Sequence, residues 1–265
     1  MLNLIQAEIY KLSKSTAFRI CFLLSMISAV SLIVISHFIA VGKLSESISG
    51  NASGLTEVCI ISLLGSLMAG IIVSSDFDTK TIHSSIANGN GRRMVVISKV
   101  VIYVIMMALL LLPYALVTIV AVCTGAEFTK PFVPSMFIRI LYDSAGVKVT
   151  FNMISKIICI SLVTVLVHAA RLSLCVLLAF KIRKSVAILA FGFVFNGLID
   201  LFVRLLKDIP VIPSLVKLTP YSPDFMMVNI QSKAGILIKA TISSVVFLVI
   251  IGELTYQIFK KAEIK

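Results

Sequence analysis

The chain has 265 residues, of which 59% are hydrophobic and 14% charged, with a mean hydropathy of +1.08. A water-soluble domain carries about 25% charged residues, so this composition excludes one, and lipid is the solvent that fits. The net charge of +12 comes with no tryptophan and no interleaving of basic and aromatic residues, which excludes a nucleic-acid-binding strip and leaves basic residues that set topology at helix ends.

Residues 1–16 are amphipathic. Leu2, Ile5, Ile9 and Leu12 recur at helical spacing, with Asn3, Gln6, Lys11 and Lys14 off that stripe, as in a helix lying in the membrane interface. Six apolar runs follow, near 17–41, 57–75, 94–122, 153–180, 185–203 and 235–259. Each suits a span, which needs about 20 residues. The predicted fold class is all-α: one polytopic membrane domain over 1–265 with an N-terminal interfacial helix. The first run follows Lys11, Lys14 and Arg19 as in a signal peptide, but it is too long for one and reads as an uncleaved helix.

Lys and Arg set the orientation. With the N-terminus in the cytoplasm, segments 1–16, 76–93, 181–184 and 260–265 hold 11 Lys/Arg in 44 residues, against 8 in 76 for 42–56, 123–152 and 204–234. The short turn with Lys181, Arg183 and Lys184 decides the matter, because short loops count most. Both termini are expected inside. The outer segments carry Pro131, Pro134, Pro210, Pro213, Pro220 and Pro223 around apolar stretches, which predicts short helices on or dipping into the outer leaflet. Asn51, Ala52 and Ser53 form a glycosylation sequon short enough to arise by chance.

No catalytic centre is legible, so the chain is not expected to be an enzyme. Gly89 to Arg93 is no phosphate-binding loop, since it lacks Gly-Lys-[Ser/Thr] and follows no strand. His37, His83 and His168 are far apart, without acidic neighbours at ligand spacing. Cys21, Cys59, Cys123, Cys159 and Cys175 lie in or beside apolar runs and read as small buried hydrophobes.

Charges inside spans are costly and therefore informative. Thr164, His168, Arg171 and Cys175 form one stripe on the fourth span. It lines a polar pathway or a subunit seam, or else Arg171 snorkels or pairs with a neighbour. Arg171 lies about 14 Å from the inner end, and Glu253 in the sixth span about 9 Å, at about 1.5 Å per residue. On the fifth span, Asn196, Asp200 and Arg204 recur at helical spacing, and Arg204 is the expected partner of Asp200. Arg171, about 10 Å shallower by the same rise, is too distant for that role. Glu253 is expected to pair with Arg171, Arg19 or Lys99, and Arg171 to face inward.

In the loop at 76–99, Asp76 can cap a short helix, Ile82 and Ile86 share a face and Gly89 can end it. A short amphipathic helix on a cytoplasmic loop suits docking of a soluble partner. Here the sequence resembles the permease subunits of bacterial type-2 ABC exporters. Their pattern runs roughly Glu-Phe-x-x-Gly-Thr-[Leu/Ile], then Ser-Arg-Arg, then a Lys. This chain has Asp76, Phe77, Thr81, Ile82, Arg92, Arg93 and Lys99 at those spacings, with Asp76 in place of Glu and Lys80 in place of Gly. Glu8 and Lys11 resemble the family's opening interfacial helix. The opening and the small size are closest to permeases for bacteriocin immunity or amphipathic-peptide export.

The resemblance implies a mechanism. Two permease halves, identical or sister chains, form an export pathway for an amphipathic or hydrophobic substrate such as a peptide. Their seam would involve helices one, two and five. ATP and magnesium would bind to separate cytoplasmic ATPase subunits and none to this chain, and 76–93 would be the coupling helix that the ATPase grips. Its apolar face, Ile82 and Ile86, would enter a groove on that partner. The rival readings are a secondary transporter, which would show internal repeats, a membrane-embedded enzyme, and a passive assembly subunit.

Overall fold

A computed structural model describes residues 2–45, 47–48, 52–130, 135–145, 150–205 and 216–261. The N-terminal stripe forms α1 (Leu2–Lys14), and the six apolar runs form α2 (Thr16–Ala40), α3 (Glu57–Asp78), α5 (Arg92–Thr124), α7 (Phe151–Ile182), α8 (Ser185–Leu205) and α10 (Ala234–Lys261). All six are long and apolar enough to cross a membrane. Among the described residues, the short α-helices α4 (Thr81–Ala87), α6 (Met136–Ser144) and α9 (Pro223–Met226) and a 3-10 turn at Ala52–Leu55 lie between spans. No strand occurs among the described residues. The chain is an all-α polytopic membrane protein.

Local chemistry sets the boundaries. Ser15 separates α1 from α2, and its hydroxyl accepts from the Phe18 N–H at 3.3 Å as an N-cap. Gly125 ends α5 in the left-handed conformation, φ 66°. Pro113 is buried inside α5 without ending it, as spans tolerate. With 33 and 32 residues, α5 and α7 run about 50 Å at about 1.5 Å per residue, beyond a hydrocarbon core of about 30 Å.

The central element is α7, which packs against α3, α5, α8 and α10. Spanning helices associate closely where residues are small. Gly192 of α8 abuts Ser66 of α3 and Cys175 of α7, and a Cβ on Gly70 would stand 2.8 Å from the Ser185 Cα. By contrast, α8 and α10 leave Val194, Leu198, Leu201, Ile242 and Val249 exposed, as lipid-facing surfaces do.

The expected short helices between spans appear at α6 and α9. Far from lying loosely on the surface, α6 buries Met136, Phe137, Ile138, Ile140 and Leu141. Glu57, at the start of α3, fixes its first turn by accepting from the Ser135 hydroxyl at 2.7 Å and the Met136 N–H at 2.6 Å. The stretches around Pro131, Pro134, Pro210 and Pro213, and the sequon residue Asn51, fall outside the described residues. The thiols correct the cysteine reading: Cys21 and Cys175 are buried, whereas Cys123 and Cys159 are exposed on apolar spans.

Candidate functional site

At the α1 end of the bundle, three distant segments meet around one lysine. Lys99, near the start of α5, is 1% exposed. Its ammonium donates to Glu8 Oε2 at 2.7 Å, to Asp76 Oδ2 at 2.5 Å and to the Ile72 carbonyl at 3.1 Å. A lysine has three donors, so Lys99 is fully satisfied. Lys11, from α1, closes the network from the water side by donating to Glu8 Oε1 at 3.3 Å and Asp76 Oδ1 at 3.2 Å. Two carboxylates balance two ammonium groups, the condition under which buried charge is tolerated. The network ties α1, the last turn of α3 and α5 together. It borders a cavity of about 240 Å³ that reaches Ser84 and Ser85 of α4 and Asn88 just beyond it.

Asp76 therefore does not cap the loop helix. It sits inside the last turn of α3, and the residue before α4 is Lys80, with left-handed backbone at φ 54°. Thr81 opens α4, with its hydroxyl 2.5 Å from that of Thr79. Asn88 and Gly89 end the helix, Gly89 at φ 85°. Ile82 and Ile86 do share a face, but Ile82 is 1% exposed and Ile86 packs partly buried against the same core. The apolar face of α4 is seated on the chain's own bundle, because exposing it would cost more than packing it. What α4 turns outward is Ser84 and Ala87, flanked by exposed Thr79, Lys80 and Asn88 in the turns at its two ends.

Phe77 joins three spans. Its ring meets Phe180 of α7 at 6.0 Å and Phe259 of α10 at 6.2 Å, both edge-on, and the Arg183 guanidinium lies 4.2 Å above it. Arg92 donates to the Phe259 and Lys260 carbonyls at 3.2 and 2.7 Å, closing the end of α10. Arg93 passes over the Tyr256 ring at 5.8 Å and reaches Glu253 at 3.1 Å.

That last pair corrects the expectation for Glu253. Its partner is Arg93 rather than Arg171, Arg19 or Lys99, and its side chain is 44% exposed. Lys99 is occupied by Glu8 and Asp76, and Arg19 donates to the Ser13 carbonyl at 3.2 Å.

Mid-bundle, the stripe of α7 faces inward. Thr164, His168, Arg171 and Cys175 are all buried. Arg171 donates to Asp200 Oδ1 at 2.6 Å, which corrects the expectation that Arg171 is too distant for that role; the expected partner Arg204 has its side chain outside the described residues. The reason is directional. Side chains lean toward the N-terminus of their own helix, and α7 and α8 are consecutive spans running in opposite directions. Arg171 and Asp200 therefore lean toward each other, which closes the gap that helical rise alone leaves between their Cα atoms.

Tyr221, which the sequence did not single out, completes the group. Its hydroxyl donates to the Arg171 carbonyl at 2.7 Å, and its ring lies 5.3 Å from the Arg171 guanidinium. Burial raises the pKa of this hydroxyl and keeps it a donor. Beside the group lies a cavity of about 760 Å³ bounded by α3, α7, α8 and the segment Tyr221 to Met227. Among the described residues no group of three or more His, Cys, Asp or Glu side chains could hold a metal ion.

Comparisons of the chain with protein-family models, with curated proteins and with solved structures find no match.

Proposed function

We propose that this chain is the membrane-spanning subunit of an ATP-driven exporter of the type-2 ABC kind. It works as half of a permease pair in a bacterial cell membrane, with both termini cytoplasmic, and moves an amphipathic substrate such as a peptide. The observation that carries this reading is the convergence at Lys99. Glu8, Asp76 and Lys99, the separated positions on which the family resemblance rests, form one buried network. Lys80 adds support, because it stands where the pattern has glycine and its backbone is left-handed, the conformation glycine adopts most readily.

The arrangement suits transmission of force. An ATPase subunit would grip the exposed side of α4, since the apolar side is already seated. A push there reaches α1, α3 and α5 through the Lys99 network and α7 and α10 through the Phe77 cluster. ATP and magnesium belong to the partner in this reading.

Reconstitution of the chain with a cognate ABC ATPase subunit tests the proposal. A single cysteine replacing Asn88 should cross-link to that subunit, and export from vesicles should require ATP. Export driven by an ion gradient, with no ATPase in the active complex, would sink the reading in favour of a secondary transporter.

A further inference from the structure

The cavity of about 760 Å³ beside Arg171 falls in the size range of small-molecule sites. Its wall is mainly apolar, with Phe193, Val194, Leu198 and Leu201 from α8 and Met226 and Met227 opposite. Phe193, Val194, Leu198 and Leu201 are also exposed on the outside of the bundle, so the cavity opens beside a lipid-facing surface. Methionines adapt to irregular apolar shapes.

The polar part of the wall is made by Thr56, Ser62, Arg171, Asn196, Asp200 and Tyr221. Arg171 is 2% exposed and Asn196 3%, and both line the cavity. One guanidinium nitrogen of Arg171, Nη1, has no hydrogen-bond partner, and neither does Asn196 Oδ1. The Asn196 amide orientation is fixed, because its Nδ2 donates to the Gly192 carbonyl at 2.8 Å, a group that can only accept. Two residues that line the cavity thus carry one spare donor and one spare acceptor, both buried. Arg171 and Asp200 already neutralise each other, so a ligand of either charge would leave the group with a net charge, which is costly in such a place.

We infer that this cavity binds an amphiphile whose polar end is an uncharged carboxamide, its carbonyl accepting from Arg171 and its N–H donating to Asn196. The apolar tail lies along the exposed residues of α8. Such a group carries an acceptor for the one orphaned atom and a donor for the other, whereas a lone carbonyl or a hydrocarbon matches one or neither. The site stands on its own lining and does not depend on the exporter reading.

Direct binding tests it on the purified full chain in lipid nanodiscs, without nucleotide or partner. Three probes of equal chain length serve: a long-chain primary amide, the matching carboxylate and the matching alkylammonium. The amide should bind saturably, and the charged probes at least about tenfold more weakly. Asn196→Leu should weaken amide binding about tenfold. Should Asn196→Leu fail to fold, Gly197→Leu decides. Gly197 lines the cavity and a Cβ there meets nothing within 4 Å, so the larger side chain should fill the space and abolish binding. Absence of saturable amide binding, equal affinity for all three probes, or binding unchanged in Gly197→Leu would each overturn the assignment. ATP-dependent export surviving any of these results would leave the proposed function standing.

Discussion

Lys99 Nζ lies 2.7 Å from Glu8 Oε2, with both side chains buried, although 91 positions separate the two residues in the chain. One ammonium thus decides where the interfacial helix sits relative to the spans. Replacing it removes the charge that two buried carboxylates share.

Lys99→Met should therefore cost about 3–5 kcal/mol, the range for breaking a buried ion pair from one side. Adding Glu8→Gln should recover part of that loss, because Lys11 can then serve Asp76 alone. Denaturation of the purified variants in detergent measures both. A double variant no more stable than the single would show that Glu8 and Lys99 are not coupled.

Arg171 and Asp200 differ in exposure, the side chains being 2% and 33% exposed. Asp200→Asn leaves the more buried charge alone, so it should destabilise the protein more than Arg171→Met, where water can still reach the carboxylate. Arg171→Met with Asp200→Leu should be milder than Asp200→Asn by itself, since an apolar pair leaves no stranded charge. The exchange Arg171→Glu with Glu253→Arg should rescue nothing, because Glu253 belongs to Arg93. Thermal melting of the set ranks the variants.

The turn before α4 separates backbone from side-chain effects. Lys80 holds φ 54°, a conformation that costs an ordinary residue about 1–2 kcal/mol. Lys80→Gly should be neutral or stabilising by up to about 1 kcal/mol, and Lys80→Val destabilising by a similar amount. Ile82→Asp should release α4 from its seat and raise amide exchange across 81–87, whereas Ser84→Asp on the exposed side should leave exchange unchanged. Protection that persists in Ile82→Asp would refute the buried seat.

Two glycines of α8 make a matched pair. Gly192 abuts Ser66 and Cys175, whereas nothing lies within 4 Å of a Cβ placed on Gly197. Gly192→Ala should push α8 from α3 and cost about 1–3 kcal/mol as overpacking does. Gly197→Ala should be neutral or gain up to about 1 kcal/mol of helix stability. Equal effects in denaturation would mean that α8 does not pack on α3 through this contact.

The sequence alone determined the spans, because hydrophobic length is a local property and the membrane supplies the other half of the interaction. It also placed α1, a short helix in the 76–93 loop though not its start, and the inward face of Arg171, since each rests on helical periodicity or on the cost of charge in lipid. Tertiary structure alone decided the partners. Helical rise counts depth along an axis, but it ignores the lean of side chains, which brings Arg171 to Asp200 from antiparallel neighbours. It also says nothing of which helix lies beside which, so Glu253 going to Arg93 was not legible. Amphipathicity marked Ile82 and Ile86 as an apolar face but could not say what covers it. The bundle covers it, because a closer apolar surface was available within the same chain.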